Sequence, residues 1–324
     1  MKKLLLVPIF GVLVLVLIAT WIYFNVQPVS TNPDFKDFLI TKGSSASQIG
    51  AKLKTSGLIK NALVFKIYLQ FTGKAGSIQT GEFRLTPSFS LFQVVDQLFR
   101  GPTEVWVTIP EGLRREEIAA KFTSGLKRDS NFNAEFLKMS RGQEGTLFPD
   151  TYLFSKEASA SAIVNKMVKT FSSKTANLNA TSDLSFNQRI VLASIIERET
   201  KTEAERPIVA GILLNRIEAG MPLQVDASVQ YAVAIENCKL KIVNCVWWPI
   251  LSRDDLKIDS NYNTYKFPGL PPGPICNPGL SSLKAAFNPT KTDFWYYIHD
   301  GQGQIHYAKT LSEHNANVAK YLGN

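Results

Sequence analysis

The residues of this 324-residue chain best placed to do chemistry are two glutamates, Glu197 and Glu199, at the end of the stretch Phe186–Thr200. Phe186, Ile190, Ala193 and Glu197 fall on one face at helical spacing, and Leu192, Ile195 and Ile196 make most other faces apolar. A helix that is apolar all round is buried, and a carboxyl group carried into such surroundings is favoured in its neutral form. A neutral acid at neutral pH is what protonation of a glycosidic oxygen requires. Glu197, which continues the apolar face, is the expected proton donor, and Glu199 is its rival. Residues two apart on a helix point about 200° away from one another, so the two cannot flank one bond. The bland alternative is a buried ion pair of one or both with Arg198, Arg206 or Arg216. Periodicity does not choose between the two glutamates.

Other chemistries find less support. Cys238 and Cys245 are close enough in sequence for a local bridge in an oxidising compartment. Cys276, between Ile275 and Asn277, reads as a small buried residue. Neither CxxC nor HExxH occurs, so no metal and no cofactor is expected. His306 and His314 read as structural, and His299 as exposed beside a turn. Lys and Arg number 36 against 27 Asp and Glu, a net charge of +9. There is no long basic block and no nucleic-acid motif, so nucleic acid is not an expected partner. A basic exterior suits anionic lipid headgroups and anionic wall polymers.

These groups must be carried by a scaffold, and its outline is legible. Leu4 to Phe24 is an unbroken apolar run without charge, long enough at 1.5 Å per residue to span a hydrocarbon core of about 30 Å. Lys2 and Lys3 precede it, which keeps the N-terminus on the cytoplasmic side. Trp21-Ile22-Tyr23-Phe24 offers no small-residue cleavage site, so a retained single-pass anchor over 1–24 is expected rather than a removed signal. A linker over 25–34 follows. Residues 35–102 read as strand, two helices, strand, helix: a strand at Phe38–Ile40, a capping box at Ser45–Gln48, and a helix capped by Asn61 with Val64, Ile67, Tyr68 and Phe71 inward. A strand at 81–85 and a helix opened by Ser90 complete the module. Residues 103–324 form a larger mixed domain. It has a strand through Val105, Val107 and Ile109, a helix over Leu113–Phe122, an aromatic loop at 144–154, and the buried helix of Glu197. A long irregular stretch from Cys238 to Pro278, a hairpin around Asp300–Gly303 and a last helix capped at Thr310 follow. The fold class is therefore α+β.

Several segments carry a family likeness, in order along the chain. Ala193-Ser-Ile-Ile-Glu-Arg-Glu-Thr200, Glu144-Gly145 with Leu147–Tyr152, and Asn215-Arg216 with Gly220–Asp226 form its first part. Tyr262-Asn-Thr-Tyr265, Gly269–Ile275, Asn277-Pro-Gly279 and Glu313-His-Asn315 complete it. Together they resemble the endolytic murein transglycosylases of the YceG-like family. That resemblance implies a LysM-like identity for 35–102, and a lysozyme-like acid at Glu197 in a catalytic domain over 103–324. The implied reaction cuts the β-1,4 bond from N-acetylmuramic acid to N-acetylglucosamine within peptidoglycan strands, giving 1,6-anhydro ends. The implied setting is the outer side of the inner (cytoplasmic) membrane, beside peptidoglycan synthases, where nascent strands are terminated. Substrate contacts are expected from Tyr262, Asn263 and Tyr265 on sugar faces, with Glu144, Gln224 and Asp226 lining the cleft. The competing roles are an ordinary turn for the first three, a loop salt bridge for Glu144, and helix capping for Gln224 and Asp226. Ala227, Cys276 and the segment Cys238–Trp248 depart from the family pattern. The functional rivals are a hydrolytic muramidase and a non-catalytic wall-binding or synthase-organising protein.

Overall fold

The computed structural model describes residues 6–73, 78–238 and 245–323, with the side chains of 6–11 left aside. Two compact units divide the chain: Met1–Val107 with Leu153–Glu157, and Thr108–Tyr152 with Ala158–Asn324. Its class is α+β, as expected.

The first unit runs α1 (Leu6–Val26), β1 (Lys36–Ile40), α2 (Ala46–Thr55), α3 (Ala62–Phe71), β2 (Gly81–Leu85), α4 (Leu91–Arg100) and β3 (Glu104–Thr108). Ser45 and Ser90 each open a helix through a reciprocal capping box, and the Asn61 carboxamide accepts from the N–H groups of Leu63 and Val64. Such caps satisfy donors that the helix itself cannot. β1 pairs antiparallel with β2, setting Phe38 opposite Phe83. Both rings are buried with Leu53, Phe65, Leu69, Leu85 and Leu98 in this unit's own core. The strand at β3, expected to open the larger domain, instead pairs with β2.

α3 departs from expectation in its orientation. It buries Val64, Phe65 and Leu69 and leaves Leu63, Ile67 and Phe71 outside, Phe71 at 91% exposure. Both sets recur at helical spacing, so an almost wholly apolar helix does not reveal which face meets the core. α1 covers the expected anchor, and its side chains from Val12 to Phe24 are largely exposed. Among the described residues no helix is long and apolar enough to cross a membrane. Residues 1–5 and the side chains of 6–11 lie outside that description, so the span over 1–24 stands as an expectation.

The second unit holds α5 (Arg115–Gly125), α6 (Ser130–Met139), α7 (Ala160–Thr175), α8 (Phe186–Glu199), α9 (Arg206–Glu218), α10 (Asp226–Cys238), α11 (Leu280–Phe287), a hairpin of β5 (Tyr296–His299) and β6 (Ile305–Ala308), and α12 (Leu311–Tyr321). β4 (Thr151–Ser155) lies next to β3 in the sheet order β1-β2-β3-β4 and spans the boundary between the units. The second unit's core gathers α8, α9, α10 and α11. Ile190, Ile195 and Ile196 are buried there in one cluster with Val209, Leu213, Tyr231 and Leu283. The irregular stretch after α10 begins with a disulfide between Cys238 and Cys245, whose Cα atoms are 5.8 Å apart. Residues 239–244 of the divergent segment lie outside the described residues.

Candidate active site

α8 is the axis of the site. Ser185 caps it and Gln188 returns the bond, while every residue from Ile190 to Ile196 is buried. Its last turn then sends Glu197 and Glu199 to different surroundings, as a separation of about 200° requires.

Glu197 meets donors on both oxygens. Arg206 Nη2 lies 3.3 Å from Oε1, and the Gly279 N–H donates to Oε2 at 2.9 Å. The side chain is 7% exposed. Glu111 joins the same arginine at 3.7 Å, and burial together with the Glu197 charge pushes the Glu111 carboxyl up. A Cβ at position 279 would collide with the Glu111 carboxylate, so glycine is required where α11 begins. This corrects the apolar setting expected for Glu197: the ion pair with Arg206 is the alternative it adopts. The contact ties the end of α8 to the starts of α9 and α11.

Glu199 stands at the wall of a cavity of about 540 Å³, lined also by Arg216, Leu223, Gln224, Asp226, Tyr265, Tyr297 and His314. Burial pushes its carboxyl up to about 7, helped by the Asp226 charge and opposed by the hydrogen bond from Tyr297 and the Arg198 charge. The Tyr297 hydroxyl donates to Oε2 at 2.8 Å. A carboxyl group in that range holds its proton for a large part of the time at neutral pH and can give it up.

The cavity wall is built by local rules. Gln224 has φ +54, a left-handed conformation uncommon outside glycine; its N–H donates to the Thr264 carbonyl at 3.1 Å. That turn leads into Asp226 at the start of α10, whose Oδ1 accepts from the Tyr265 hydroxyl at 2.6 Å. Arg216 is anchored on backbone carbonyls, with Nε on Trp295 at 2.8 Å and Nη1 on Leu223 at 2.9 Å. It thereby fixes the β5 hairpin, and with it Tyr297, against α9. His314 stacks on Tyr296 at 5.1 Å between ring centres. Burial lowers its pKa, and its buried Nδ1 has no hydrogen-bond partner.

Of the expected contact residues, Gln224, Asp226 and Tyr265 come together here and the other three stand elsewhere. Asn263 is fully buried: Nδ2 donates to the carbonyls of Leu256 and Ile258, each at 2.9 Å, and Oδ1 accepts from the Tyr265 N–H. Its amide is spent on shaping the turn that presents Tyr265. Tyr262 packs on Tyr231 with ring centres 4.7 Å apart, against the core cluster. Glu144 accepts from the Arg115 N–H at 3.1 Å and from Asn277 Nδ2 at 2.6 Å. Burial, with the Glu116 charge, pushes the Glu144 carboxyl up to about 8. It fastens the 144–149 loop to the start of α5 and to Asn277.

Two residues of these clusters are not apparent from sequence alone. Tyr297 reads only as part of a strand, because its partner Glu199 is 98 positions away. Glu111 follows Pro110 at a strand end and carries no periodic signal. The histidines His299 and His306 are paired structurally, with Glu205 at 3.2 Å and Asp300 at 2.9 Å. Cys276 is buried, its thiol against the Ser194 carbonyl. Among the described residues no group of His, Cys, Asp and Glu could hold a metal ion.

The endolytic murein transglycosylase of Bacillus subtilis (strain 168) is 33% identical over 313 residues, covering 87% of this chain and 84% of that protein. The endolytic murein transglycosylase of Streptococcus pneumoniae serotype 2 (strain D39 / NCTC 7466) is 27% identical, and its match covers 87% of this chain but 58% of that longer protein. A 2.6 Å crystal structure of a YceG-like protein from Listeria monocytogenes superposes with a TM-score of 0.55 at 29% identity, over 88% of this chain and 99% of that one. The YceG-like family matches residues 38–320, and the chain belongs to that family.

Proposed function

We propose that this chain is an endolytic peptidoglycan lytic transglycosylase whose proton donor is Glu199, with Glu197 as a positioning residue. The names of its relatives support the reaction class. The observation that carries the residue assignment is a carboxyl group raised to about 7 on the wall of a cavity that also holds Gln224, Asp226 and Tyr265.

The reaction follows from one acid acting twice. Glu199 gives its proton to the glycosidic oxygen as the bond to C1 of N-acetylmuramic acid breaks, leaving positive charge on C1 and the ring oxygen. The C6 hydroxyl of the same sugar then attacks C1 and returns its proton to the Glu199 carboxylate. No water is consumed, the product carries a 1,6-anhydro end, and the enzyme is restored. Tyr297 holds the carboxyl in place, and Tyr265 with Asp226 offers a polar rim to acetamido and hydroxyl groups.

The setting belongs to the same reading. α1 carries exposed apolar side chains from Val12 to Phe24 with nothing of its own unit over most of them, which suits a bilayer. With Lys2 and Lys3 inside, everything after α1 lies outside the cytoplasmic membrane, next to nascent strands and the synthases that make them. The strand–helix–helix–strand order of the first unit supports a LysM-like role in orienting N-acetylated sugars.

A hydrolytic reading draws on Asp226, the second carboxylate of the cavity, which could activate a water. One experiment decides both questions. Uncrosslinked glycan strands are digested by the wild type, Glu199→Gln and Glu197→Gln, and the products are read by mass spectrometry. Anhydro ends lost in Glu199→Gln and kept in Glu197→Gln support the proposal. The reverse pattern returns the acid role to Glu197, and reducing ends in the wild type favour hydrolysis.

A further inference from the structure

The first unit presents an apolar line that its own core does not use. Leu63, Ile67 and Phe71 follow one another four residues apart along α3, and they are 56%, 45% and 91% exposed. Single exposed apolar residues are ordinary. A line of three on a helix of ten residues, ending in an almost fully exposed phenylalanine, is not. Phe92, 47% exposed and packed edge-on against Tyr68 of the same helix, adds another ring.

The position of this line identifies what covers it. α3 begins beside the end of α1: Lys60 Nζ reaches the Phe24 carbonyl at 3.4 Å, and Val26 is buried in the core to which α3 contributes Val64, Phe65 and Leu69. The exposed apolar line of α3 therefore starts close to the end of the exposed apolar helix α1. Lys60 is exposed at the start of α3 and Lys66 lies within it. Apolar side chains flanked by lysines are the composition of helices that lie in a membrane interface, and anionic headgroups attract such cations. A protein partner is a poorer fit. The side chains offer a few hundred Å², well short of the roughly 800 Å² per partner of a stable protein interface.

We propose that α3 lies on the bilayer surface with Leu63, Ile67 and Phe71 in the boundary between headgroups and acyl chains. The first unit is thereby docked on anionic phospholipid instead of swinging from α1. This rests on the reading of α1 as a membrane anchor.

The test separates the two readings. The full chain is reconstituted into phosphatidylcholine–phosphatidylglycerol vesicles with bromine high on the acyl chains, as wild type, Trp21→Phe and Phe71→Trp. Quenching of the wild type that disappears in Trp21→Phe reports the anchor. Emission added by Phe71→Trp reports α3, at an exposed position where the change spares the core. Loss of most of that added emission in brominated vesicles supports docking, whether or not Trp21 is quenched. Quenching of Trp21 with the emission added by Phe71→Trp left intact overturns docking and leaves the anchor standing. No quenching of either overturns both.

Discussion

The two sides of α8's last turn hold the same side chain in opposite circumstances. On one side Glu197 is closed in by an arginine and a backbone N–H, on contacts of 3.3 and 2.9 Å that bind three helices together. On the other, Glu199 has the Tyr297 hydroxyl and the Ala227 backbone N–H as donors, the Asp226 carboxylate nearby and an open cavity in front of it. Both donors on Glu197 are fixed in place, so its carboxylate serves as a strut between helices. A carboxyl with burial against it and space before it holds a proton that a substrate oxygen can take. Burial is thus an incomplete guide to a catalytic acid. What burial supplies by way of partners decides the outcome, and two residues of separation are enough to reverse it.

The sharpest way to break this contrast is to neutralise each side in turn. Glu199→Gln is expected to lower the release of anhydro ends by about 10³-fold, in line with the loss of a general acid. Its thermal unfolding should stay close to wild type. Glu197→Ala is expected to do the reverse in kind, destabilising the fold by about 3 kcal/mol because Arg206 loses its close partner in a nearly buried site. Urea unfolding measures that cost. Equal losses of activity in both variants, with neither destabilised, would erase the distinction.

Much of the scaffold was legible because it is written in local rules. The caps at Ser45, Asn61, Ser90 and Thr310 are set by residues within a few positions, and so is the apolar run that makes α8 a buried helix. The site was legible only in part. Asp226 and Tyr265 belong to recognisable segments, but their hydrogen bond joins positions 39 apart. The choice between Glu197 and Glu199 depends on Arg206, Gly279 and Tyr297, which reach α8 through tertiary packing. Asn263 illustrates a related limit of sequence: between Tyr262 and Tyr265 it fits a sugar contact or a turn, and the two carbonyls it serves place it in the turn. On α3 Val64 and Tyr68 meet the core as expected while Ile67 and Phe71 do not, because apolar periodicity on two sides leaves the rotation undetermined.

Glu144 sharpens the comparison from a third position, with a carboxyl raised to about 8 and no place in the Glu199 cavity. Its folded pKa lies above the unfolded value, so its contribution to stability is fully present below about pH 4.5 and is lost as pH rises through 8. Glu144→Gln should flatten the fall in stability between pH 5 and 7 by about 2 kcal/mol, measured by urea unfolding across that range. The pH profile of catalysis should keep its shape, since the Glu199 limb near 7 is untouched. A profile that moved with Glu144 would assign that carboxyl to the chemistry.

The finest test is Tyr297→Phe. The hydroxyl favours the ionised form of Glu199 and opposes the burial that raises it. Removing it should move the alkaline limb of kcat upward, so that the variant keeps its activity to higher pH. The same change frees the carboxyl to rotate, and kcat on the acidic plateau should fall by about threefold, the worth of one modest hydrogen bond. These effects have opposite signs above neutrality, which makes the full pH profile more informative than any single rate. A plateau loss with no shift of the limb would mean that Tyr297 positions Glu199 without tuning it. The open side of α8 would then lack its tuning contact, and burial alone would have to account for the acid.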